Sequence, residues 1–273
     1  NIKETIDLKD HKIKIKYNKN NIYLDGSGKI KLDKEFDKVN YSILKNSNVF
    51  HFDTNLNLDK TLLKIDNLNF KKDNKSKAQL FILGNYKNNN ILTLNKVSIL
   101  SEYNRIILRN FLLDEENKII KFDKIDLDYI DTEFKKNQII ISRIKNNNYE
   151  LIGSIFNANS LISDLLKNKI KKKSKIFKNN ININLNLNET YIDDKNLVKN
   201  LKGKLYIEDD KVVQSNISAL FDDNENFTFT INTNIDEKVT TLFSSRAKPL
   251  VNRYKFIKGY EEGYLDFYSS KKN

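Results

Sequence analysis

Two histidines, His11 and His51, and the adjacent acids Asp193-Asp194, Asp209-Asp210, Asp222-Asp223 and Glu261-Glu262 are the side chains with most chemical reach. Metal binding and acid/base catalysis need such groups clustered. Both histidines sit inside alternating apolar and polar runs, so each reads as a strand residue rather than a catalyst. The acid pairs are flanked by strand signals and read as solvated turns rather than calcium or catalytic sites. No serine stands in a nucleophile elbow, and cysteine is absent. The residues give no positive sign of an enzyme, and no metal or cofactor is expected.

The dominant pattern is structural. Ile181-Asn182-Ile183-Asn184-Leu185-Asn186-Leu187-Asn188 alternates without a slip. Successive side chains of a strand point to opposite faces, so this segment has one apolar face and one polar face. Similar alternation recurs along most of the chain. Strands are expected at 11–17, 38–45, 48–59, 61–70, 77–85, 90–100, 104–113, 117–130, 137–144 and 148–153. More are expected at 179–192, 201–208, 211–221 and 226–235, with another starting at Tyr264. Asp25-Gly26-Ser27-Gly28 reads as the turn of a hairpin, and Asp66-Asn67 as a bulge.

Helical spacing appears twice. Leu161, Ile162, Leu165 and Leu166 predict a short helix at about 157–168, capped by Asn157 or Asn159. A second is expected at about 245–256, with Ser244 or Ser245 as cap and Leu250, Val251 and Tyr254 on one face. The fold class is therefore mainly all-β: a long antiparallel sheet with two short helices. Segment 1–152 is expected as one β unit and 153–273 as a second.

The 273 residues carry a net charge of +12. A basic chain can bind nucleic acid or an anionic membrane. Here Lys, Asn and Ile dominate, as in an AT-rich genome, and arginine is confined to positions 105, 109, 143, 246 and 253. Base reading favours arginine, and the lysines are scattered, so no nucleic-acid partner is expected. The run Lys169 to Lys175 could touch anionic headgroups. No apolar run approaches the ~20 residues of a membrane-spanning helix. With no methionine anywhere, the chain reads as part of a longer or processed protein.

The alternating strands supply Ile181, Ile183, Leu185, Leu187, Leu205, Ile207, Phe227, Phe229 and Ile231 on apolar faces. Ile13, Ile15, Leu56, Leu58, Ile125 and Leu127 continue the pattern. Periodicity alone allows these residues to fill a sandwich core or to line an open groove.

The segment from Phe243 to Ser269, with Gly259, Gly263 and Leu265, resembles the characteristic end of AsmA-like proteins of the YhdP type. Gly153-Ser-Ile-Phe-Asn-Ala-Asn-Ser-Leu-Ile162 resembles that family's helix entry, with Asn157 where an Asp is usual. Tyr23-Leu-Asp-Gly-Ser-Gly-Lys-Ile30 resembles its upstream β-rich region. The resemblance implies a Gram-negative envelope protein related to the repeating β-groove lipid-transfer proteins. It would be anchored in the inner membrane by a segment outside this chain and would project into the periplasm.

By that resemblance the nine residues from Ile181 to Ile231 line a groove that shelters phospholipid acyl chains between inner and outer membrane. Leu161, Leu165, Leu250 and Tyr254 then act as a helix lid. Phospholipid, the two membrane surfaces and envelope proteins at the groove ends are the expected partners, in outer-membrane biogenesis. The competing expectation is a structural β-rich scaffold or surface protein with a filled core and no ligand.

Overall fold

Residues 6–87, 90–166, 175–222, 224–254 and 262–272 are described by a computed structural model; for 163–166 and 252–254 it describes the backbone alone. The chain is mainly β and divides into two compact units, Asn1–Phe134 and Lys135–Asn273. The helix that interrupts the strand series lies inside the second unit.

In the first unit, β1 (Asp7–Asn18), β2 (Asn21–Lys31), β3 (Phe36–Asn46) and β4 (Val49–Asn57) form an antiparallel meander. Two short strands follow, β5 (Leu63–Ile65) and β6 (Phe70–Lys72), which pair only with each other. The meander resumes with β7 (Ala78–Lys87), β8 (Ile91–Ser101) and β9 (Arg105–Leu113), the last pairing with β10 (Ile119–Lys121) and β11 (Lys124–Ile130).

Two expectations fail here. The expected strand 61–70 is split by a 3-10 turn at Asp66–Leu68, closed by Asn69 in the left-handed region. Asp25-Gly26-Ser27-Gly28 is no turn: β2 runs straight through it, and the chain reverses at Lys19-Asn20. The glycines serve close approach instead. A Cβ at Gly26 would stand 2.1 Å from Tyr41 Cζ, and one at Gly28 would stand 2.5 Å from His11 Nδ1.

The segment carrying β5 and β6 is a strap across one end of the unit. The buried Asp37 carboxylate accepts the backbone N–H groups of Asp59, Lys60 and Thr61 at 2.9–3.0 Å. At the strap's far end the Tyr129 hydroxyl donates to the Leu68 carbonyl at 2.8 Å, and Phe70 meets the Tyr129 ring edge-on. Val39, Leu56, Leu58 and Ala78 form the buried cluster beside it, with Leu63 of the strap packed on. Lys72 is buried and donates to the Thr61 carbonyl. Burial lowers its pKa, and the charges of Asp37, Asp59 and Asp73 oppose that shift.

The second unit holds β12 (Lys136–Lys145), β13 (Asn148–Asn157), helix α1 (Asn159–Leu166) and β14 (Ile181–Tyr191). Strands β13 and β14 are parallel. Parallel neighbours need a crossover, which is what the 158–180 connection with α1 supplies. The helix starts from the Ala158 carbonyl, and the Asn157 side chain, one residue before that cap position, accepts the Asn159 N–H. An antiparallel run follows through β15 (Leu197–Glu208), β16 (Lys211–Leu220), β17 (Asn226–Thr233), β18 (Glu237–Ser244) and β19 (Leu265–Lys272), with α2 (Lys248–Tyr254) between the last two strands.

Ser244 and Ser245 do not cap α2. Ser244 Oγ bonds both backbone groups of Arg246, and Ser245 Oγ accepts the Asn226 N–H. The helix starts from the Ala247 carbonyl. In β15 an extra residue is absorbed at Asn200, which has φ 53°. Asparagine tolerates that conformation, and the resulting bulge turns both Val198 and Leu201 inward. Within this unit the register pairs β12 through β19 edge to edge in sequence order.

Candidate apolar wall

Directly paired residues on neighbouring strands share a face, so the register shows which side chains stand together. In the second unit one row crosses seven strands: Leu151, Leu185, Gly203, Ile217, Phe229, Leu242 and Phe267. The next reads Tyr149, Ile183, Leu205, Ser215, Ile231, Thr240 and Ser269. Ile181 pairs with Ile207, Leu187 with Leu201, and Phe227 with Ala219 and Ser244. All nine residues expected on the wall therefore lie on one face.

Their burial is graded. Ile181 and Leu187 are buried at 4% exposure. Ile183, Leu185, Leu205, Ile207, Phe227, Phe229 and Ile231 are half-buried. Leu151, Leu201, Leu242 and Phe267 belong to the same wall but were missing from the sequence-based set. The alternation at 148–153 and at 265–267 was a usable signal for Leu151 and Phe267.

The first unit repeats the arrangement. Ile13, Gly26, Tyr41, Thr54, Ile82, Val97, Leu108 and Ile125 make one row. Gly28, Val39, Leu56, Leu80, Ile99, Ile106 and Leu127 make another. Ile15 begins a third, with Leu24, Ile43 and Phe52. Leu56, Leu58 and Leu127 are buried, whereas Ile13 and Ile15 on β1 are 53% and 65% exposed.

The helix residues are placed unevenly. Leu250 is buried at 3% exposure, and Leu161 is 42% exposed. The side chains of Leu165 and Tyr254 lie outside the described residues.

The opposite faces are polar. Lys29 and Asp10 pair at 2.9 Å, and the hydrogen bond from Lys29, with its charge, holds the Asp10 carboxyl below the usual carboxylate range. Asp222, by hydrogen bond and charge, raises the Lys199 pKa. Asp209 and Asp210, both at positive φ, form the two-residue β15–β16 turn. Asp209 bonds Lys175, whose hydrogen bond and charge lower the carboxyl's pKa, and Asp210 accepts the Ile176 and Phe177 N–H groups. Asp193 accepts the Lys195 and Asn196 N–H groups, and Asp194 accepts the Asn159 side-chain amide. Asp223 and Glu261 lie outside the described residues, and of the basic run only Lys175 is described.

His11 is taken up by Tyr41, and His51 is exposed on the polar face of β4. Among the described residues no group of three or more His, Cys, Asp or Glu could hold a metal. Among them, no helix is long and apolar enough to cross a membrane.

Two depressions open mainly on the polar faces. One of about 190 Å³ lies among Tyr23, Asp25, Ser42, Leu44, His51 and Asp53. The other, about 650 Å³, lies over β14–β16.

No family model, curated protein or solved structure matches the chain.

Proposed function

We propose that this chain shields hydrocarbon: it is a periplasmic module of a lipid-transfer protein that shelters phospholipid acyl chains between the inner and outer membranes. One observation carries the reading. Nine apolar side chains from three strands, β14, β15 and β17, share one face in register, and seven of them are only half-buried. Sheltering a methylene from water is worth about 0.8 kcal/mol, so two acyl chains of ~30 methylenes in all gain roughly 20 kcal/mol when fully covered. Partial cover suffices to hold a lipid without any headgroup pocket or catalytic group. The resemblance of 153–162 and 243–269 to AsmA-like proteins supports the same reading, with α1 and α2 as lids and the anchor outside this chain.

The competing reading is a ligand-free scaffold. The buried cluster of Val39, Leu56, Leu58 and Ala78 favours it locally, because there the apolar face is consumed by packing. Native mass spectrometry of gently purified protein separates the two. Bound phospholipid is expected, and protein recovered free of lipid from lipid-rich extracts would overturn the proposal.

A further inference from the structure

The hairpin of β5 and β6 lies over the wall of the first unit. Asp37 and Tyr129, which hold it, alternate with Val39 on β3 and Leu127 on β11, so both stand on the apolar face. The row from Val39 to Leu127 passes through Leu56, Leu80, Ile99 and Ile106. Leu63 packs on it at the β3–β4 side, and Phe70 meets Tyr129 at the β11 side. Val39, Leu56, Ile99, Ile106 and Leu127 are buried, whereas Ile82, Val97, Leu108 and Ile125 of the next row are half-buried. The same strands are sealed in one row and open in the next.

The hairpin is held unequally at its two ends. At its base the Asp37 carboxylate accepts three backbone N–H groups, which are charge-assisted bonds. At its tip the bonds are between neutral groups. Tyr129 donates to the Leu68 carbonyl, and Thr132 donates its N–H to the Asn69 carbonyl at 2.9 Å and its hydroxyl to Asn69 Oδ1 at 2.6 Å. Neither strand of the hairpin pairs with the large sheet. Beneath it the Lys72 amine is buried, and the buried Thr61 hydroxyl has no hydrogen-bond partner among the described residues. Opening would return both groups to water, which favours them. A firm base, a lighter tip and no ladder to the sheet are the parts of a flap.

We propose that the β5–β6 hairpin is a displaceable flap that competes with hydrocarbon for the row from Val39 to Leu127. Shut, it ends the open wall one row short; lifted from the tip, it adds that row. The inference rests on the lipid reading, because the flap's rival is the acyl chain which that reading places on the wall. Hydrocarbon suits the row because it offers apolar side chains alone. The backbones of β4, β7, β8 and β9 are already paired on both sides, so no added strand can bond there. Competition is reciprocal: hydrocarbon must favour the open flap, and a flap locked shut must weaken hydrocarbon binding.

Both halves can be measured. The chain has no cysteine, so N69C/T132C places a single disulfide across the tip, where the native side chains already touch. The full chain is incubated with vesicles of phosphatidylethanolamine and phosphatidylglycerol and then separated from them. Retained phospholipid is read by native mass spectrometry, and amide hydrogen exchange is followed with and without lipid. In the wild type, lipid should speed exchange of the β5–β6 amides about tenfold and leave the β7–β8 ladder unchanged. The oxidised variant should retain about tenfold less lipid than the same protein reduced. Comparing two redox states of one sequence removes the strain of a cysteine at the left-handed position 69, and circular dichroism of both checks the sheet.

If lipid binds but leaves the hairpin's exchange unchanged or slows it, the flap proposal fails and the lipid reading stands. Equal retention by the oxidised and reduced forms has the same meaning. If neither the wild type nor the variant retains any lipid, both fall together.

Discussion

His11 Nε2 lies 2.9 Å from the Tyr41 hydroxyl, although the two residues stand on strands that do not pair. They meet across β2, their rings stacked with centroids 5.6 Å apart and 26° between planes. The contact exists because β2 carries Gly26 and Gly28 beneath them. Any side chain there would lift Tyr41 or His11 off the strand. The pair thereby fastens β1, whose Ile13 and Ile15 are otherwise open to solvent, to the third strand of the sheet.

A Gly26→Val substitution overfills that space and is expected to cost about 1–3 kcal/mol. His11→Ala and Tyr41→Phe each remove the hydrogen bond, at about 1 kcal/mol each. In a double-mutant cycle read by urea denaturation the two losses should overlap, since they delete the same interaction. Full additivity would show that the pair does not hold β1 in place.

Asp37 gathers the strap through three backbone N–H groups. Asp37→Asn keeps the shape but turns an amide nitrogen toward donors. The expected destabilisation is about 2–4 kcal/mol, from one or two buried N–H groups left unpaired. Amide hydrogen exchange should show Asp59, Lys60 and Thr61 losing protection before the β7–β8 ladder does. Simultaneous loss of both would mean that the strap does not open separately.

These contacts mark where the sequence was readable and where it was not. The wall from Ile181 to Leu187 was plain because a strand's period of two depends only on neighbours. The parallel β13–β14 pair was not, because α1 looks the same whether it ends a domain or crosses within one. Gly26 and Gly28 misled for a related reason: glycine marks a turn or a close approach, and which one depends on residues 15 positions or more away. Asp37 gave no signal at all, since its partners lie 22–24 residues further on.

Burial raises the pKa of the Tyr129 phenol well above its ordinary value, and the charge of Asp131 adds to the shift. The native state therefore keeps a proton that the unfolded chain releases near pH 10. The stability this contributes is complete below pH 10 and is lost as pH climbs toward the raised native value, at up to about 1.4 kcal/mol per pH unit. Tyr129→Phe should cost about 1 kcal/mol at neutral pH, through the unpaired Leu68 carbonyl. It should also flatten the decline in stability above pH 10. Chemical denaturation of both proteins from pH 8 to 11 reads the difference, and parallel curves would place the phenol in water.

Leu185 and Phe229 stand in the same row of the wall, separated by Gly203 and Ile217. Because both are half-buried, a carboxylate at either position can reach water and leave the sheet folded. Leu185→Asp or Phe229→Asp should uncover two or three methylenes of a bound acyl chain. That is about 2 kcal/mol, or roughly thirtyfold in lipid retention. Asn182→Asp and Thr228→Asp add the same charge to the same strands on the opposite face and should retain lipid normally. Native mass spectrometry with matched circular dichroism checks all four. If the two faces respond alike, charge on the sheet rather than the apolar wall governs lipid retention. If Leu185→Asp and Phe229→Asp unfold the protein while the polar-face variants do not, these side chains are core, and the scaffold reading gains what the lipid reading loses.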